Sequence, residues 1–176
     1  MIVRPATLAD LNACLSLDHD WITGHVWQMQ VRESESDVGV TFHTARLPRE
    51  MRAQYPRDLE QLVEDWQRDE GFWVAEVDGE VRGYADLVAQ PWQGMAWMPN
   101  LAVDRRYRRK GIGTALVRQA RQWARAQGLQ AIVAEATTKN YPAICFYRRL
   151  GFEFCGFNDH FYTNQDIALF FVHVLR

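Results

Sequence analysis

The chain has 176 residues, 48% of them hydrophobic and 12% aromatic, enough for one domain that buries a substantial core. A formal net charge of −2 excludes a protein that binds polyanions over its whole surface, so any basic stretch must act locally. Cys14, Cys145 and Cys155 are far apart, lack metal-ligand spacing and cannot all pair with one another, and His19, His25, His43, His160 and His173 show no ligand spacing either. Reduced thiols, a cytoplasmic location and no metal are therefore expected. The opening MIVRPATLADL has no apolar signal core and runs such as IALFFV are too short to cross a bilayer, so no membrane association is expected.

In chain order, MIVRPAT predicts a short strand stopped by Pro5. Thr7 and Asp10 have the spacing of an acidic capping box ahead of Leu8, Leu11 and Leu15, which predicts a first helix. Apolar and polar residues alternate from Thr23 to Leu47 on either side of a polar turn at Glu33 to Asp37, predicting a long hairpin, with Pro48 and Pro56 bracketing a short connector. Leu59, Leu62, Val63 and Trp66 share one helical face, and Gly71 is read as that helix's stop. Two strands follow around the Asp78-Gly79 turn. A further strand, Met95 to Val103, contains Pro99 and so needs a bulge or an edge.

The next segment, RRYRRKGIGTAL, places four arginines and a lysine in the six positions Arg105 to Lys110. A helix follows from about Gly111, with Leu116, Ala120, Trp123 and Ala124 as its core stripe. Gly111 and Gly113 thus lie where a strand has turned into a helix N-terminus. The first N–H groups there have no intrahelical partner and the dipole is positive, which suits a phosphate. A tight turn beside a solvated basic face fits the same residues, and the spacing matches neither the dinucleotide fingerprint nor a Walker loop. After Gly128 the chain predicts a strand to Ala136, a polar loop, a short helix from about Pro142 ended by Gly151, and two closing strands.

Taken together, Arg108, Gly111 and Gly113 in the first motif and Asn140, Ala143, Phe146, Tyr147, Gly151 and Phe152 in the second resemble the GNAT superfamily of N-acetyltransferases, over about residues 72 to 174. The resemblance implies an α/β fold: a mixed, mostly antiparallel sheet splayed between its fourth and fifth strands, with helices on both faces. A single domain, 1–176, with an added hairpin at about 23–47 is the implied organisation. Acetyl coenzyme A would be the cosubstrate. Its pantetheine arm would meet main-chain groups of Leu101 and Val103, and its pyrophosphate the loop of Arg108, Arg109, Lys110, Gly111, Ile112, Gly113 and Thr114. Asn140, Ala143, Phe146 and Tyr147 would complete that site. The bound anion would then be a cofactor's and not a nucleic acid's.

Such transfer has two proton problems. An alkylammonium, with a pKa near ~10.4, must lose a proton before it attacks, and the thiolate that leaves must gain one. The resemblance puts Tyr147 at the general acid and Glu135, five residues before Asn140, at the base, with Asp86 in reserve. Many superfamily members carry a glutamate on the preceding strand, where this chain reads Pro99 and Asn100. The tail GFNDHFYTNQDIALFFVHVL resembles streptothricin acetyltransferases, with a short aspartate-and-tyrosine strand before the last one; Trp27, Asp86, Asp159 and Tyr162 are the candidate contacts for a cationic acceptor. A protein N-terminal acetyltransferase, an acetylase of other small molecules and a non-catalytic coenzyme A sensor share these features, and a homodimer stays open.

Overall fold

A computed structural model describes residues 1–68 and 70–175. Among the described residues nine strands and four α-helices follow one another: β1 (Ile2–Pro5), α1 (Leu11–Leu15), β2 (Trp21–Glu33), β3 (Val38–Ala53), α2 (Gln61–Gln67), β4 (Gly71–Val77), β5 (Glu80–Gln90), β6 (Met95–Val103), α3 (Ile112–Ala126), β7 (Ala131–Thr137), α4 (Tyr141–Arg149), β8 (Glu153–Asn158) and β9 (Ala168–Val174). Seven strands form one sheet in the order β1-β4-β5-β6-β7-β9-β8, and β2 and β3 form a separate ribbon. Every neighbouring pair is antiparallel except β6 and β7.

That parallel pair is the fourth and fifth strands of the sheet, and its pairing covers only Met95–Met98 against Ala131–Ala134. Beyond it β6 continues to Val103 and β7 to Thr137 without pairing to each other, which is the expected splay. Pro99 lies where it begins. Asp86 faces Asn100 and Val88 faces Trp97, so β6 carries one residue more than β5 between those pairs, the bulge that a proline lacking an N–H requires. The extra residue reverses the side-chain alternation. Ala96 and Met98 join the core beneath α3, whereas Ala102 joins the opposite cluster with Leu11, Leu62 and Tyr84.

Capping and periodicity account for the helices. Thr7 donates its N–H and its hydroxyl to Asp10 Oδ2, both at 2.8 Å, and Arg4 locks the same carboxylate with two further bonds at 2.8 and 2.9 Å. In α3 the stripe Leu116, Ala120 and Ala124 is fully buried, and Trp123 packs edge-on to Trp73 of β4 at 5.7 Å.

The hairpin is longer than expected. β3 runs through Pro48 to Ala53 because Thr23 pairs with Met51 and His25 with Arg46, leaving Leu47 to Glu50 in a bulge where a proline breaks no ladder bond. Gly71 does not stop α2, which ends at Gln67; it opens β4, where a Cβ would sit 2.6 Å from the Trp73 ring. Residues 159–162 form turns between β8 and β9 rather than a strand.

Candidate active site

The junction of β6 and α3 is where the sequence leads us to expect a phosphate. Arg109 and Gly111 both have left-handed φ, 63° and 86°, and a Cβ on Gly111 would meet nothing within 4 Å. The first helical bond runs from the Ala115 N–H to the Gly111 carbonyl at 3.0 Å, so the N–H groups of Ile112, Gly113 and Thr114 precede the ladder. Gly113 is close-packed instead: its Cβ would lie 3.1 Å from the Phe146 ring of α4. The Arg108 side chain is committed elsewhere, donating to the carbonyls of Val103, Asp20 and Asp18 at 2.9, 2.9 and 2.6 Å. It braces the loop and occupies the Val103 carbonyl, so Arg108 offers an anion its main chain. Lys110 Nζ stands 4.7 Å over the Tyr107 ring beside the glycines.

Across the splay, α4 begins at Asn140, whose Oδ1 accepts the Ala143 N–H at 3.1 Å. One turn further on, Tyr147 is buried among Phe146, Phe152 and Phe171, with ring centroids 5.4 to 6.1 Å away. No described residue hydrogen-bonds its hydroxyl. Burial, with the Glu135 charge adding to it, holds the phenol well above its ordinary pKa, so Tyr147 is protonated at any working pH.

Glu135, on β7, lies buried behind a cleft of about 270 Å3 lined by Arg57, Asp65, Trp97, Asn100, Phe161 and Tyr162, and it is bonded to three of these lining residues, Arg57, Trp97 and Tyr162. Its carboxylate is buried and heavily bonded. Oε1 accepts from Arg57 Nε and Nη2 at 2.9 and 2.7 Å and from the Tyr162 hydroxyl at 2.8 Å; Oε2 accepts from Trp97 Nε1 alone, at 3.0 Å. Burial raises its pKa against the opposing pull of Arg57 and these bonds.

Beside it the Asn100 side-chain NH2 donates to Asp86 Oδ2 at 3.1 Å and Asp65 Oδ2 at 3.3 Å, the Asn100 N–H donates to Asp86 Oδ1 at 3.0 Å, and the Tyr55 hydroxyl bonds Asn100 Oδ1. Burial, then the Asp65 charge, push Asp86 up to about 7.

Tyr162, Glu135 and Asp86 therefore come together here, whereas Trp27 and Asp159 do not. Trp27 packs against Phe42, Phe154 and Phe171 and ties the β2–β3 ribbon to the sheet through its N–H on the Thr138 carbonyl at 2.9 Å. Asp159 pairs with His160 at 2.8 Å on the surface. Arg57, Asp65, Trp97 and Phe161 carry no motif. Of the cleft residues that the sequence did not assign to the site, Asn100 alone stood out, next to the strand proline.

A mixed sheet splayed between its fourth and fifth strands, with a glycine-bearing loop entering a helix on one side and a buried glutamate behind a cleft on the other, is what the sequence resemblance implies for an acyl-group transferase. The chain belongs to the acetyltransferase (GNAT) family, whose model matches residues 41–152, and it is an acetyltransferase. It is 30% identical to the streptothricin acetyltransferase of Streptomyces lavendulae over 166 residues, 90% of this chain and 85% of the relative. Its fold is similar to that of a nourseothricin acetyltransferase, with a TM-score of 0.86, 24% identity and coverage of 99% and 98% of the two chains. A protein from Bacillus anthracis str. Ames, solved in complex with acetyl coenzyme A, has a TM-score of 0.77 at 21% identity, with 99% and 97% covered.

Proposed function

We propose that the protein transfers the acetyl group of acetyl coenzyme A directly to a primary amine of a small, multiply cationic molecule of the streptothricin or polyamine kind. One observation carries the acceptor assignment: the cleft at Glu135 is small, partly aromatic and lined by Asp58 and Asp65, while its cation Arg57 is already bound to Glu135. Likeness to a streptothricin acetyltransferase over most of both chains supports it.

The cradle fits the cosubstrate, since open space at Gly111 and the free first-turn N–H groups suit a pyrophosphate. When bound, acetyl coenzyme A supplies a thioester carbonyl as electrophile. Glu135 Oε2, the oxygen with a single partner, takes a proton from the acceptor ammonium, and the freed nitrogen forms the C–N bond. As the C–S bond breaks, Tyr147 gives its proton to the departing sulfur, a donation its high pKa keeps available, and the nitrogen's second proton, lost as the amide forms, restores the phenol by way of solvent. Trp97, Phe161 and Tyr162 exclude water and orient the amine. An acetylation screen over an amine library with mass detection tests the reading: mono-acetylated polyamines or streptothricins are expected, and a protein inert towards small amines would overturn it.

A further inference from the structure

Asp65 projects from α2 with its side chain only 6% exposed, at the wall of the cleft. Two carboxylates converge on the one Asn100 NH2, so that amide must turn its nitrogen to Asp65 and Asp86 and its oxygen to Tyr55. The arrangement leaves negative charge undercompensated. Arg57 is spent on Glu135, and the remaining cation, Arg68, meets Asp65 Oδ1 at 2.8 Å from a side chain that is 40% exposed. The opposite wall already accommodates a cation: the Arg57 guanidinium stands 5.0 Å over Trp97 and 5.8 Å over Phe161.

Resting on the small-amine reading, we infer that Asp65 binds the acceptor's second ammonium while Glu135 serves the reacting one, so that the enzyme selects diamines over monoamines of equal length. Asn100 and Asp86 are positioning residues. They hold the Asp65 carboxylate at the wall, supplying from a helix the acidic group that the strand, with Asn100, lacks.

The test compares kcat/KM for cadaverine and pentylamine, equal in chain length and different by one charge. A preference for cadaverine of roughly ten- to a hundredfold is expected, the worth of one charged hydrogen bond. Asp65→Asn should bring the ratio close to one through KM more than kcat, Asp65→Glu should restore part of it, and Asn100→Ala should lower it. In the unmodified enzyme, acidification from about pH 8 to about pH 6 should reduce the ratio, because both amines stay protonated while Asp86, pushed up to about 7, takes up a proton and removes negative charge from the Asn100 cluster that holds Asp65. The groups facing Asp65 and Asp86 are Glu64 on α2 and Arg68 at its C-cap, Tyr55 and Arg57 before it, Tyr84 on β5 and Asn100 on β6. A ratio kept by an Asp65→Asn variant that still gains stability from acetyl coenzyme A would overturn the inference. If that variant does not fold, a ratio indifferent to pH in the unmodified enzyme overturns it. Equal use of both amines sinks the inference alone; acetylation of peptides but of neither amine sinks the small-amine reading and the inference with it.

Discussion

Arg57 places both Nε and Nη2 on a single oxygen of Glu135, at 2.9 and 2.7 Å, and so leaves the other oxygen with Trp97 as its one partner among the described residues. The ion pair is buried on the Glu135 side, 2% exposed against 21% for Arg57. A fixed carboxylate with one open acceptor position is a better base than one saturated on both oxygens. It also means that removing the acid strands a guanidinium.

Glu135→Gln should therefore lower kcat by roughly a hundredfold or more, within the range for acid-base groups. In the unmodified enzyme kcat/KM should fall on the acid side as Glu135 takes up a proton, at a pH above the ordinary glutamate range because burial raises its pKa. The Gln variant should lack that limb. An unchanged limb would move the base to another group.

Tyr147→Phe should reduce turnover by roughly ten- to a thousandfold while acetyl coenzyme A affinity, measured calorimetrically, stays close to that of the parent. Since the phenol is held above its ordinary value, the pH–rate profile should show no loss from its ionisation below about pH 10. Full activity in the Phe variant would reduce Tyr147 to a packing residue.

The cradle separates binding from bracing. Acetyl coenzyme A should raise Tm by binding the folded state. Gly113→Trp, which must displace the Phe146 ring 3.1 Å away, should abolish the shift. Arg108→Ala should act on the apoprotein instead, costing roughly 2–4 kcal/mol as three carbonyls lose a charged donor. A normal ligand shift in Gly113→Trp would misplace the cradle.

Asp86 makes stability depend on pH. Its folded pKa of about 7 lies above the unfolded value, so its contribution is fully present below about pH 4 and is lost as pH rises through about 7. Asp10 works the other way: Arg4 depresses it, and its contribution is lost only as acid protonates it below the ordinary aspartate range. Between about pH 5 and pH 8 the Tm should thus fall with rising pH, and Asp86→Asn should flatten that slope. A parallel slope in the variant would place the titration elsewhere.

Where local chemistry decides the structure, the sequence was readable. Pro99 required a bulge or an edge and lies at a bulge, Asn140 caps α4, and Gly111 adopts the left-handed φ that a loop-to-helix turn needs. The strands and α3 followed from periodicity. The cleft did not, because Arg57, Asp65 and Phe161 are brought to Glu135 by tertiary packing across 78, 70 and 26 positions of chain, with no motif to announce them. Trp27 and Asp159 show the converse: an aromatic and an acid near the right segments, one drawn into the ribbon's packing and the other left on the surface.

Competition in one vessel between a small polycationic amine and a peptide with a free N-terminus, limited by acetyl coenzyme A and read by mass spectrometry, tests the central claim most directly. Label is expected to accumulate on the small amine, with a rate that falls as salt screens the acidic cleft. Faster acetylation of the peptide would contradict it.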